Sequence, residues 1–285
     1  MNFFNLHTHT HFCDGKAEPE AYVNKAIELG FHTLGFSGHA PLPFENKFAI
    51  RNDEALEAYY REILRLKESY EDRIRILLSL EIDFVPGITR DFSFFREHGK
   101  LDYVIGGVHL IRNKDKKNQD LWFIDGPYQE KYDHGLKNVF NGDTRQGVEA
   151  YYHQLIEMVA TQQPDIIAHL DKIKMHNKNR FFSENEGWYK DLVWKTLTFI
   201  ANETEAIVEV NTRGLYKKRS DTFFPGPEIL EQIHHLNIPV TLNSDAHEPG
   251  ELNGYYEEAI ALLSDIGFRE LVYFEGSARA KAAIV

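Results

Sequence analysis

The chain of 285 residues predicts an α/β barrel folded as one domain, on three observations. Short apolar runs alternate with longer amphipathic ones, the pattern that builds a parallel sheet. Each candidate strand is followed by a candidate helix of its own, so seven βα units would close on themselves, with an open doubly wound sheet as the competing arrangement. No repeat, low-complexity tract or Gly/Ser-rich linker divides residues 1–285, which are read as a single domain.

Taken in order, strands are expected over 3–7, 33–37, 75–83, 103–107, 166–169, 206–211 and 239–243, where apolar and β-branched residues cluster between turn signals. Helices are expected near 18–30, 52–71, 87–98, 146–163, 186–204, 226–237 and 251–266, of which 53-DEALEAYYREILRLKESY-70 has the clearest helical spacing. The segment from Arg112 to Arg145 breaks the alternation. It is polar, interrupted by 125-DGP-127 and 141-NGD-143, and too long for an ordinary connection. Its aromatic stretch 121-LWFID-125 predicts an ordered lid.

Composition narrows the function classes. With 42% hydrophobic and 27% charged residues the chain is globular, and no apolar run approaches the roughly 18 residues of a membrane span. A net charge of −12, from 44 acidic and 32 basic residues, disfavours a nucleic-acid footprint and favours a small-molecule substrate. The start, MNFFNLHTHTH, lacks the features of a secretory signal, so a cytoplasmic location is expected. The single cysteine, Cys13, cannot form an internal disulfide and is read as a packing residue.

The chemistry concentrates in 5-NLHTHTHFCDG-15. Period-two geometry sends His7, His9 and His11 to one face if the strand continues that far. Other apparent strand ends carry a histidine or carboxylate: 35-GFSGHAP-41, 79-SLEID-83, 106-GGVHL-110, 167-IAHLD-171 and 243-NSDAH-247. In α/β barrels such ends form one rim, where active sites are built from several strands. Nine candidate ligands result: His7, His9, Asp14, His39, Glu81, His109, His169, Asp245 and His247. They exceed one tetrahedral sphere and suit two or three divalent ions, zinc, manganese or iron. Glu81 is the bridging candidate, because a carboxylate offers two oxygens.

Such a cluster activates water and clamps the attacking and leaving oxygens of an in-line displacement, which phosphate esters need. Neither a Gly-x-Ser-x-Gly elbow nor a Gly-x-x-x-x-Gly-Lys loop is present, so metal-assisted hydrolysis without a covalent enzyme intermediate is expected. Glu81, Asp14 and His247 are the residues expected nearest that chemistry. For the phosphate itself, arginine's planar fork is suited. Arg213 follows the strand 206–211 on the ligand rim, and Arg180 lies on a loop after the His169 strand.

The ordered set HTHTHFCDG, SGHAP, SLEID, GGVHL, AHLD and NSDAH resembles the polymerase and histidinol phosphatase (PHP) superfamily over the whole chain. HFCDG, LWFID and 209-EVNTRGL-215 are similar to its histidinol-phosphatase branch, used in histidine biosynthesis. The resemblance implies a distorted (β/α)7 barrel with a trinuclear centre. It assigns His7 and His9 to the opening ligand pair and Asp14 to the third ligand of that motif, where many members carry histidine. His11 is not needed in that ligand set and is placed on the substrate side or behind the metals. His32, His98, His134, His153, His176, His234 and His235 are read as ordinary surface or packing residues.

The reaction implied is hydrolysis of L-histidinol phosphate to L-histidinol and phosphate. Alternatives are another PHP phosphoesterase acting on nucleotide or sugar phosphates, a 3′–5′ exonuclease, and a metal-stabilised structural module. The acidic balance disfavours the exonuclease, and the intact ligand set disfavours the module.

Overall fold

The computed structural model describes residues 3–115 and 120–284; residues 116–119, inside the expected lid, lie outside it, as do 1, 2 and 285. Its strands are β1 (Phe3–Asn5), β2 (Phe31–Phe36), β3 (Arg75–Leu78), β4 (Glu81–Asp83), β5 (Ile105–Gly107), β6 (Leu110–Arg112), β7 (Leu121–Phe123), β8 (Ile166–Ile167), β9 (Ile207–Asn211), β10 (Val240–Asn243), β11 (Glu270–Glu275) and β12 (Ala278–Ala283). The helices are α1 (Pro19–Glu28), α2 (Asp53–Ser69), α3 (Phe92–Gly99), α4 (Gln129–Phe140), α5 (Thr144–Gln162), α6 (Gly187–Glu203), α7 (Arg213–Tyr216), α8 (Pro227–His235) and α9 (Tyr256–Ile266).

Parallel pairing orders the strands β1-β2-β3 in one sheet and β10-β9-β8-β5-β4 in another. Two isolated parallel bridges link the sheets: Thr8 with Ala246 beyond β1 and β10, and His39 with Glu81 between the end of β2 and β4. The expected strand 75–83 is split at Ser79 and Leu80 because it changes partners there. Arg75–Leu78 pair with Thr33–Phe36, whereas Glu81–Asp83 pair with Ile105–Gly107.

Each long helix covers the sheets with one apolar face. In α2, Leu56, Tyr59, Tyr60, Ile63 and Leu66 are buried at helical spacing, and Asn52 caps the start by accepting from the Ala55 amide. Truncating Ile63 to alanine would cost about 2–5 kcal/mol by cavity formation. Among the described residues no helix is long and apolar enough to cross a membrane.

The 112–145 segment is ordered in the described residues. β6 and β7 form an antiparallel hairpin, and α4 follows it. Trp122, fully buried, donates its indole N–H to the Tyr132 carbonyl at 2.8 Å. Gly135 on α4 and Gly147 on α5 make room for it: a Cβ at these positions would stand 2.3 Å and 2.8 Å from the indole ring. Helix α4 was not expected, because the neighbouring turn signals and Gly135 mask the helical spacing of Tyr132, Leu136, Val139 and Phe140. The terminal hairpin of β11 and β12 was also not expected, since β12 is alanine-rich and largely exposed.

Candidate metal centre

The residues following β1, β2, β5, β8 and β10, together with β4 itself, place all nine candidate ligands in one cluster at the carboxyl ends of the parallel strands, buried except for the half-buried Asp14. Glu81 is at its middle. Its Oε2 lies 3.1 Å from His7 Nε2, 3.4 Å from His9 Nε2 and 3.3 Å from His39 Nδ1. Its Oε1 lies 3.0 Å from His169 Nε2 and 3.7 Å from His109 Nε2. The two oxygens thus face different imidazoles, as a bridging carboxylate requires.

On one side, His9 Nε2 is 3.3 Å from Asp245 Oδ1, and His247 stands between Asp245 and Asp14, with Nδ1 3.4 Å from Asp245 Oδ1 and Nε2 3.1 Å from Asp14 Oδ1. On the other, His109 Nε2 and His169 Nε2 face each other at 3.1 Å. Two lone-pair nitrogens so close must share a proton or a cation between them. Overlapping trios of donor atoms run through the whole group: His7/His9/Glu81, His9/Asp245/His247, His9/Asp14/His39, His39/Asp83/His109 and Glu81/His109/His169. Several of these atoms are buried without a hydrogen-bond partner, among them His9 Nε2, Asp14 Oδ1, His39 Nδ1, Asp83 Oδ2 and Asp245 Oδ1. Orphaned polar atoms are rare in folded interiors, and the donor set fits divalent ions of the zinc, manganese or iron type.

Two carboxylates that the sequence reading did not single out complete the site. Asp83, one pleat period beyond Glu81, points to the same face, with Oδ1 2.7 Å from His109 Nδ1 and Oδ2 3.3 Å from His39 Nδ1. The spacing in 79-SLEID-83 carried that signal. Glu209, fully buried on β9, accepts from His7 Nδ1 at 2.6 Å and, at 3.0 Å each, from the His169 amide and the side-chain amides of Asn211 and Asn243. It holds His7 with Nδ1 protonated and Nε2 turned to the cluster, the outer contact that orients a ligating imidazole. In sequence it reads as an ordinary strand residue of 209-EVNTRGL-215.

The electrostatics follow from this crowding. Burial pushes the His7 pKa down, but Glu209, Glu81 and Asp245 outweigh it and carry it up to about 10. For His39, burial is likewise outweighed by Glu81 and Asp83, which raise it to about 9. Burial raises Asp83, yet His109 and His39 bring it down to about 2. His247 goes the other way, to about 4, because burial and the nearby His9 and Arg213 all oppose its charge. The backbone is strained at two candidate-ligand positions: His169 and Asp245 hold φ of 26° and 52°, conformations that cost about 1–3 kcal/mol and persist where the surroundings enforce them.

Three substrate-side candidates fall differently. His11 does not join His7 and His9, because β1 ends at Asn5 and the chain turns at 11–14; its Nδ1 lies 3.2 Å from Glu18 Oε2 on the exposed side. The period-two extension to residue 11 is therefore corrected. Arg213 is buried at the start of α7, just after β9, where Nη1 donates to the Asp245 carbonyl at 2.8 Å. Arg180 is engaged by Asp133 of α4, with Nη1 and Nη2 at 2.8 and 2.7 Å from its two oxygens, and would have to leave that pair to reach a phosphate. Cys13 packs with Sγ 3.4 Å from His9 Nδ1. His176, read as ordinary, is buried and bonds the Gly126 carbonyl at 3.0 Å.

The PHP domain model matches residues 5–213, more than half of the chain. This chain belongs to the PHP-domain family. Among its relatives, the histidinol-phosphatase of Bacillus subtilis is 26% identical over 88% of this chain and 96% of its own length. The crystal structure of HisK from Listeria monocytogenes matches with a TM-score of 0.75 at 22% identity, over 90% of this chain and 99% of that one. A histidinol phosphate phosphatase from Lactococcus lactis, solved with zinc, L-histidinol and phosphate, matches with a TM-score of 0.66 at 21% identity, over 97% and 98%. These structural likenesses establish the PHP α/β fold.

Proposed function

We propose that this chain is a cytoplasmic, metal-dependent phosphatase that hydrolyses L-histidinol phosphate to L-histidinol and phosphate. The observation that carries the reading is the convergence of His7, His9, His39, His109 and His169 on the two oxygens of Glu81, with Asp14, Asp245 and His247 joined to the same cluster through His9. The names of the Bacillus subtilis and Lactococcus lactis proteins supply the substrate. The circuit of parallel pairings and bridges supports a distorted (β/α)7 barrel. One domain over 1–285 is supported by Asp245 and His247, which lie beyond the matched residues yet complete the cluster.

Two or three ions fit the donor set. His7, His9 and Glu81 would hold one, Glu81 with His109 and His169 a second, and Asp14, His39, Asp245 and His247, grouped around His9, would supply the donors of a third. Divalent ions there supply Lewis acidity toward water and phosphoryl oxygens. The chain's own residues do the rest. Glu209 fixes the His7 tautomer, Asp83 orients His109, and Arg213 ties down the strained Asp245 backbone. Arg213 also offers an arginine fork for a phosphate oxygen, since its bonds to Asp245 and Tyr216 are made through Nη1.

Phosphate release from L-histidinol phosphate, compared with nucleotide and sugar monoesters in metal-loaded and chelated samples, tests the proposal. Preference for histidinol phosphate with loss on chelation is expected. Faster turnover of another monoester would move the substrate, and no turnover in a metal-loaded sample would leave a structural module.

A further inference from the structure

A second group of charges touches the cluster from the side of the 112–145 segment. Asp125, on the turn after β7, places Oδ2 3.8 Å from His109 Nε2. The same oxygen is 3.2 Å from Nζ of Lys172, which lies on the 3₁₀ turn Lys172–Lys174 after β8. Arg219, after α7, brings Nη1 to 4.0 Å from Asp125 Oδ1, an oxygen buried without a hydrogen-bond partner. The turn that carries Asp125 is secured by His176, whose Nε2 meets the Gly126 carbonyl. One carboxylate oxygen therefore separates a lysine ammonium from the imidazoles that face Glu81.

Lys172 is only 2% exposed. A buried ammonium is costly unless paired, and a methionine or leucine would fill the space beside Phe224 without that cost. The ammonium carries three donors, of which the Asp125 contact accounts for one. A carboxylate facing the cluster alone would repel a phosphate dianion, and Lys172 and Arg219 offset it. Arg213 braces the Asp245 side of the cluster, so Lys172 stands by its His109 and His169 side.

We propose that Lys172, positioned by Asp125, is a second phosphate anchor of this site and donates charge-assisted hydrogen bonds to oxygens of the bound phosphate. The proposal rests on the phosphatase reading above. Asp125 acts through Lys172 as a positioning residue, and as a charge that keeps the ammonium in place until substrate arrives.

The experiment compares metal-loaded wild type with Lys172→Met, Lys172→Arg and Asp125→Asn. Metal content is read by elemental analysis, inorganic phosphate binding by calorimetry, and kcat and KM with a phosphate monoester. Lys172→Met should weaken phosphate binding and raise KM by about ten- to a hundred-fold with metal content unchanged, as loss of a charge-assisted bond predicts. Lys172→Arg should recover most of the binding, and Asp125→Asn, which keeps an acceptor oxygen to hold the ammonium but removes the charge that competes with phosphate for it, should leave phosphate affinity equal or tighter. Phosphate affinity in Lys172→Met within about two-fold of wild type would overturn the proposal. So would an Asp125→Asn variant that loses as much affinity as Lys172→Met, since the pair would then be a structural bridge. Where Lys172→Met fails to fold or to load metal, Lys172→Gln, which is polar but uncharged, is read by the same criteria. Wild type that binds phosphate but turns over no monoester would sink the phosphatase reading, while the phosphate titration would still decide the role of Lys172.

Discussion

Replacing Glu209 with glutamine keeps volume and shape but changes what the side chain can accept. In the native structure its two oxygens receive four donors, from His7, His169, Asn211 and Asn243. A glutamine has one acceptor oxygen, and its NH2 would confront two of those donors with a third donor. Two charge-assisted bonds at about 1.5–3 kcal/mol each are lost, so about 3–6 kcal/mol of stability should disappear from the roughly 5–15 kcal/mol a domain possesses. In addition His7 loses the anion that orients it, which should cost about ten- to a hundred-fold in metal affinity. Thermal unfolding of the metal-free protein reads the first effect, and titration against a competing chelator reads the second. A Glu209→Gln variant with wild-type melting temperature and metal affinity would refute the reasoning and reduce Glu209 to a spectator.

Elemental analysis of the active protein should find two or three divalent ions per chain, and Glu81→Gln should abolish most turnover while the protein stays folded, because an amide cannot bridge two ions with charge; one ion or none in a fully active sample would contradict this. The metal-free protein should lose stability as pH rises from 6.5 towards 10: His7 and His39, raised from 6.5 to about 10 and about 9, contribute fully below 6.5 and lose that contribution as each deprotonates in the folded state. His247, lowered to about 4, is neutral in both states above 6.5 and adds nothing in that window. Metal loading should flatten the dependence, and chemical denaturation across pH with and without metal checks both statements. Gly135→Ala should destabilise by at least about 1–3 kcal/mol, because the new Cβ would lie 2.3 Å from the buried Trp122 ring; an unchanged melting temperature would show that the indole can move aside.

The alternation of strand and helix was legible because burial imposes its period on the residues that face the core, as in α2, where Leu56, Tyr59, Ile63 and Leu66 repeat at helical spacing. The nine candidate ligands were legible for a related reason: parallel strands end on one rim, so a histidine or carboxylate at each strand end is directed to a common place. Sequence by itself determined that much. What it left undecided depends on contacts between distant segments. His11 continues the spacing of His7 and His9, yet the end of β1 at Asn5 turns it away to Glu18. Glu209 and Asp125 look like ordinary polar residues until β9 brings one beneath His7 and the β6–β7 hairpin brings the other to His109. Lys172, in 171-DKIKMHNK-178, carries no local signal of burial, yet it is only 2% exposed with its ammonium against Asp125 from a segment nearly fifty residues earlier. Local pattern specifies which face a residue takes on its own element, whereas the partner across the site is chosen by chain closure over some 40 to 240 residues, as in the bonds from Glu209 to His169 and from Ser244 to Asn5, and no local periodicity encodes it.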